Sequence, residues 1–327
     1  MIKKETVLIL GAGASAPYEF PSGQRLKDLV CHGADADVQH TGIDMHDYGR
    51  FKSALRLSGC SSVDTFLESR PEYIDFGKAA IATVLSPMEK TGNLFGKWDT
   101  IRLKPNISQD YRHNWPWYDF LLGVLCDGVP FSAIGDNKLS VITFNYDRSF
   151  EHFLFTALKN RYGKPDNECA KVLSRIPVVH VYGSLGKLEW QDGAKETNTV
   201  PYDSGSEPRY TKMAADSIQI LHEGSENTSE FIMARELLNS AEQVLFLGFA
   251  YHPMNVARLG IGPQLRLPTL SRGTALGLSK ERREHFDSLT QSKRPSGRPP
   301  GEQLVVGGSI LIDTDAYTLL YNHVTFG

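Results

Sequence analysis

Thr6-Val7-Leu8-Ile9-Leu10-Gly11-Ala12-Gly13-Ala14-Ser15-Ala16 carries an apolar run straight into a glycine-rich turn. Val7 to Leu10 read as a fully buried strand, and no spacer separates them from the turn. A strand that stops at Gly-x-Gly and starts a helix exposes backbone N–H groups at the positive end of the helix dipole, a seat for a pyrophosphate. Glycine suits that seat because a Cβ would hold the phosphate oxygens away. The stretch therefore predicts an α/β sheet that begins with a dinucleotide site, with Gly11, Ala12, Gly13, Ala14 and Ser15 as its contacts. A hydride-transfer version of that site fits only half the pattern. Ala16 is allowed at the third glycine position, but the fingerprint also needs a second buried strand ending in an acidic residue about twenty residues on. No acidic residue at that spacing ends an apolar strand. Instead Pro17, Pro21 and Gly23 interrupt the segment, which suits a loop lying over a ligand, Gly23 included, better than a continuous helix.

The 327 residues are 41% hydrophobic with a net charge of −3, enough to bury one substantial core across 1–327. That balance argues against direct nucleic-acid binding as the main business of the surface. No apolar run approaches the roughly twenty residues needed to span a membrane. Lys3, Lys4 and the short run that follows fall below the roughly seven to fifteen apolar residues of a secretory signal, so a cytoplasmic location is expected. Cys31, Cys60, Cys126 and Cys169 stand singly, which argues against a zinc ribbon or a disulfide framework; no metal is expected.

Buried-strand candidates recur at 6–10, 139–143, 178–182, 243–248 and, more weakly, 273–278. Val63, Phe66 and Leu67 fit one helix, 79–85 another, 118–125 a third and 148–158 a fourth. Strands separated by helical connections predict a Rossmann-like, mainly parallel sheet with helices on both faces. The section from about 40 to 135 reads as a helical lobe inserted beside the sheet. The polar stretches 191–212 and 290–302 have loop composition, and Lys293, Arg294, Pro295, Arg298, Pro299 and Pro300 suit a solvated linker. Trp115-Pro116-Trp117-Tyr118 fits the start of a core helix, with an assembly surface as the alternative.

Open α/β sheets bind ligands at the carboxyl ends of their strands. Here those ends are Thr143-Phe144-Asn145-Tyr146-Asp147, then His180-Val181-Tyr182-Gly183-Ser184, then Gly248-Phe249 with Asn255 downstream. Each has a structural reading of its own. Asn145 and Asp147 suit a helix cap, His180 a ring bonded to a backbone carbonyl, and Ser184 a turn. Their recurrence at successive strand ends points to a site.

In this order and spacing, from about Thr6 to Leu278, the motifs resemble a sirtuin-like domain. The resemblance is to the bacterial branch whose members hydrolyse NAD in anti-phage defence. It implies a Rossmann-like NAD pocket in which the residues matching Asn145 and a histidine before the glycine turn are the catalytic pair. This chain has Tyr182 directly before Gly183, with His180 two residues earlier. On a strand those two positions share a face, so His180 is the expected catalytic histidine and Tyr182 the alternative. Cleaving nicotinamide from NAD expels a good leaving group, so the protein must chiefly position the ribose and direct a water. Asn145 suits that role, an imidazole can take up a proton, and Asp147 can hold a ribose hydroxyl or fix the loop. Gly11 to Ser15 would take the pyrophosphate, with Gly23, Thr143, Gly183 and Ser184 around it; Gly248 and Asn255 would approach the adenosine half. Deacylase sirtuins carry a four-cysteine zinc module, which these single cysteines do not provide. Hydrolysis of NAD to nicotinamide and ADP-ribose is therefore expected ahead of deacylation, and a non-catalytic NAD or ADP-ribose sensor is the reading from another class. An unregulated NAD hydrolase would be lethal, which implies control by homo-oligomerisation or by a separate sensor or ATPase partner.

Overall fold

The computed structural model describes residues 1–33, 38–95, 116–220, 227–262, 265, 267–290 and 310–327. Six parallel strands form one sheet in the order β3-β2-β1-β4-β5-β6. They are β1 (Thr6–Leu10), β2 (Leu139–Thr143), β3 (Val178–His180), β4 (Gln243–Leu247), β5 (Arg272–Thr274) and β6 (Leu311–Ile312). Every residue of β1 and β4 is buried, as strands covered by helices on both faces require. This is the Rossmann-like α/β architecture that the strand pattern predicts. β1 lies in the middle, with Leu8 opposite both Val141 and Leu245. Strand order reverses between β1 and β4, where open sheets of this kind take their ligands.

Between β1 and β2 the chain is helical: α1 (Ala12–Ser15), α2 (Gly23–His32), α3 (Met45–Leu57), α4 (Val63–Ser69), α5 (Ile74–Leu85), α6 (Thr91–Phe95) and α7 (Tyr118–Cys126). Ser22, Asp44 and Ser62 cap α2, α3 and α4 by accepting from the amides of Arg25, Asp47 and Thr65. α8 (Ser149–Tyr162) and α9 (Asp166–Leu173) lead to β3, and α10 (Pro208–Ser217) and α11 (Ser229–Ser240) lead to β4. α12 (Pro253–Arg258), α13 (Lys280–Thr290) and α14 (Ala316–His323) follow β4, β5 and β6. The helical segment between β1 and β2 does not pack only on itself, because α5 lies against α10 from the β3–β4 connection.

Several expectations change at the element ends. β3 stops at His180 rather than at 182, because Gly183 takes φ +68 and its N–H donates back to the His180 carbonyl. β4 stops one residue early, at Leu247, and the 273–278 strand is only Arg272–Thr274. β6 is two residues long, too short for any periodicity to announce it. The 191–212 stretch is not all loop, since α10 begins at Pro208, a residue suited to a first helical turn. Apart from Thr290 at the end of α13, the 290–302 stretch lies outside the described residues, as does Trp115. Trp117 and Tyr118 are fully buried, so they belong to the core and not to an assembly surface. The amides of both donate to the Tyr18 hydroxyl, and Trp117 Nε1 donates to the Ala14 carbonyl at 2.9 Å. Those bonds tie the glycine turn to α7.

The turn itself is gripped by the opposite loop. A Cβ on Gly11 would lie 2.6 Å from the Gly248 carbonyl oxygen, and one on Gly13 would lie 2.9 Å from Gly248 Cα. At Gly248, with φ +58, a Cβ would meet Ala14 N at 2.0 Å. Gly205 has a similar φ of +63 but nothing within 4 Å. Gly248→Ala is therefore expected to cost about 3 kcal/mol or more, from strain plus overpacking. Gly205→Ala should cost about 1 kcal/mol, from strain alone. Urea midpoints measured on both variants check the difference; equal losses would remove the close contact as the reason for Gly248.

Candidate active site

Asn145 sits just past the carboxyl end of β2 and is 9% exposed. Its amide nitrogen donates to the Gly11 carbonyl at 3.1 Å and to Ser15 Oγ at 3.0 Å. Its backbone N–H donates to Thr143 Oγ1. The β2 end is thereby fastened to the β1 turn. The carboxamide oxygen has no protein partner among the described residues and is not among the fully buried atoms. Three amides of the turn are already committed within the chain: Gly11 N–H to Leu247, Gly13 N–H to Gly248 and Ala14 N–H to Gly11. The glycines thus serve backbone packing first.

Asp147 accepts from both the amide and the hydroxyl of Ser149, at the start of α8. Burial is the largest influence on its carboxyl and pushes the pKa up to about 6, against the opposing Ser149 and Ser15 hydrogen bonds. Ser149 also meets the buried Tyr118 hydroxyl at 2.8 Å. Asp147 thus serves the first amide of α8 from the position before the N-cap residue, Arg148, whose side chain makes no cap bond.

His180 turns inward. Nδ1 donates to the Asn145 carbonyl at 2.9 Å, and Nε2 faces Glu151 Oε1 at 2.7 Å. Burial opposes a charged ring, yet the Glu151 carboxylate, its hydrogen bond and the Asn145 carbonyl outweigh it and raise the His180 pKa above the ordinary imidazole value. Burial would raise the Glu151 carboxyl, and His180 holds it below its usual range. An imidazolium with both N–H groups engaged has no lone pair with which to take a proton. Both ring nitrogens of His180 thus face protein groups, and Nδ1 holds the Asn145 backbone.

Tyr182 goes elsewhere, because the Gly183 turn breaks the two-residue strand period after His180. Its hydroxyl donates to Asn255 Oδ1 at 2.7 Å and accepts from Arg258 Nη1 at 2.6 Å. Burial, partly offset by Arg258, pushes its pKa up to about 12. Arg258 Nη1 also donates to Glu68 on α4, and Tyr146 donates to Asp64 on the same helix. α4 therefore brings two carboxylates to the residues that follow β2 and β3.

The structure thus gathers Gly11 to Ser15, Thr143, Asn145, Asp147 and Gly248 into one bonded cluster, with Gly13 exposed, Ala12 and Gly248 half-buried and the rest buried, and with His180 behind it. Asn255 and Tyr182 form a second group with Arg258. Gly183 is packed where a Cβ would lie 2.3 Å from the Ser217 carbonyl oxygen, and Ser184 donates to the Gly186 carbonyl. Both shape the loop after β3. Gly23 is the first residue of α2 and has only Ser62 Cβ near its open side, at 3.6 Å. Glu151, Glu68, Asp64 and Arg258 escape motif reading. Arg258 had one available signal, standing three residues after Asn255 and so on the same face of a helix. Neither a protein-family model nor a curated protein matches this chain.

The buried Asp147 carboxyl has a measurable consequence for stability. Its pKa is 3.8 in an ordinary setting and about 6 in the fold. The folded state therefore holds more protons than the unfolded chain between those values, and stability falls as pH rises through that window. The loss between pH 4 and pH 7 is about 2 kcal/mol from this group. Asp147→Asn, which keeps an acceptor for Ser149, should gain about that much on the wild type over the same interval. Urea unfolding of both proteins across the window checks it, and parallel curves would refute the shifted carboxyl.

Proposed function

We propose that this protein hydrolyses NAD to nicotinamide and ADP-ribose. The observation that carries the reading is Asn145, whose amide nitrogen is spent on Gly11 and Ser15 while its carboxamide oxygen, at the carboxyl edge of the sheet, keeps no partner among the described residues. An oxygen held so firmly can accept a hydrogen bond from a ribose hydroxyl or from a water and fix its direction. The resemblance of the ordered motifs to NAD-hydrolysing sirtuin-like domains supports the same substrate. In the reaction the bond between ribose C1′ and the nicotinamide nitrogen breaks, and its electron pair leaves with neutral nicotinamide. Water adds to C1′ and its proton passes to solvent. An oxocarbenium-like centre takes up water without a strong base, which fits a site where both His180 ring nitrogens are engaged by the Asn145 carbonyl and Glu151 and Tyr182 is held un-ionised. His180 then acts as a positioning residue through the Asn145 carbonyl.

The engaged His180 ring also favours a second reading, a sensor that binds NAD or ADP-ribose without turnover. Deacylation remains the enzymatic alternative, although the chain has no paired cysteines for the zinc module. Under the hydrolase reading the protein acts in the cytoplasm, where an activated copy would deplete NAD and abort a phage infection. A partner protein or self-assembly would hold it back until then.

Nicotinamide release by the purified chain, alone and with candidate partners, separates these readings. Hydrolysis predicts release without any acylated peptide, whereas tight binding without release under every condition supports the sensor. Asn145→Ala should lower turnover about 100-fold or more, the scale of losing one preorganised polar contact to the transition state. Circular dichroism should show the variant folded, and near-wild-type activity would strike Asn145 from the reaction.

A further inference from the structure

Arg258 closes α12 and is 1% exposed, yet only one end of its guanidinium is partnered. Nη1 serves Glu68 at 2.7 Å and the Tyr182 hydroxyl at 2.6 Å. Nε and Nη2 are buried and have no hydrogen-bond partner among the described residues. These two nitrogens share one edge of the guanidinium plane, and their N–H bonds run parallel, the fork that matches two oxygens of one anion. A charged donor left buried and unpaired is among the more costly features a fold can retain. Tyr182, itself fixed by Asn255, and Glu68 hold the plane from its other end, so the fork has one orientation.

The glycine turn supplies the complementary observation. With the Gly11, Gly13 and Ala14 amides spent inside the chain, the turn by itself offers a phosphate little of what its sequence suggests. A diphosphate in this site needs a cation, and Arg258, at the end of the helix that follows β4, bonds Tyr182 in the loop that follows β3. We infer that the Nε–Nη2 edge of Arg258 receives a phosphate group. The inference rests on the dinucleotide reading of the site, and the phosphate is either part of the bound dinucleotide or a free phosphate that occupies the same fork.

Calorimetric titration of the full chain with pyrophosphate, ADP-ribose and adenosine tests it. Arg258→Lys keeps the charge and loses the fork. It should weaken pyrophosphate and ADP-ribose by about tenfold or more, the worth of a bidentate charged contact, and leave adenosine unchanged. ADP-ribose held equally well by Arg258→Lys and wild type overturns the inference, whether or not NAD is cleaved. Arg258-dependent binding of pyrophosphate in a protein that never cleaves NAD supports the phosphate site and defeats the hydrolase reading instead. Binding of pyrophosphate but not of ADP-ribose supports the fork and identifies free phosphate as its ligand. If Arg258→Lys fails to fold, the wild type carries the test. Pyrophosphate or ADP-ribose must raise its Tm and adenosine must not, and no rise with either overturns the inference.

Discussion

Where the strand order reverses, the Gly13 N–H donates to the Gly248 carbonyl at 3.1 Å, across a gap that admits no side chain. The contact locks the turn after β1 to the turn after β4, the two loops that border the ligand-binding crevice of an open parallel sheet. Asn145 then reaches from the β2 end to the same turn, and at the start of α7 Trp117 donates to the Ala14 carbonyl and to the hydroxyl of Tyr18 just past the turn. Four parts of the chain, far apart in sequence, meet on one short piece of backbone. Its rigidity is what gives the free oxygen of Asn145 a fixed direction.

Buried charge is used around this centre as scaffolding. Arg148 and Glu89 form an almost fully enclosed pair, and Arg148 also donates to the Val200 carbonyl at 2.6 Å. The His180–Glu151 pair stands under the Asn145 backbone in the same way. Such pairs add little net stability, but removing one partner strands a charge and costs about 3–5 kcal/mol, so they fix geometry strongly. Arg258 differs from Arg148 because half of its guanidinium has no such partner. That contrast within one protein separates a structural arginine from one suited to a ligand.

The architecture was legible because its signals are local. Val7 to Leu10 and Val244 to Leu247 are apolar throughout, as strands covered on both faces must be, and the helices between strands carry the 3.6-residue period. Strand ends were less legible, since β3 and β4 stop where Gly183 and Gly248 take positive φ, a choice imposed by neighbouring loops. His180 shows the limit most clearly. Alternation along a strand placed it beside Tyr182, yet the turn at Gly183 sent the two side chains to different partners.

The sequence by itself determined the parallel sheet, the glycine turn at its centre and the polar residues at the carboxyl ends of β2, β3 and β4. These follow from hydrophobic period and turn chemistry, which need only near neighbours. The tertiary structure alone decided that the glycines are claimed by backbone contact with Gly248, that His180 is bound at both nitrogens and that Arg258 keeps an unpaired edge. Those outcomes depend on Glu151, Gly248, Glu68 and Tyr182 arriving from separate elements. Hydrogen-bond partners across such distances leave no periodic trace in the chain.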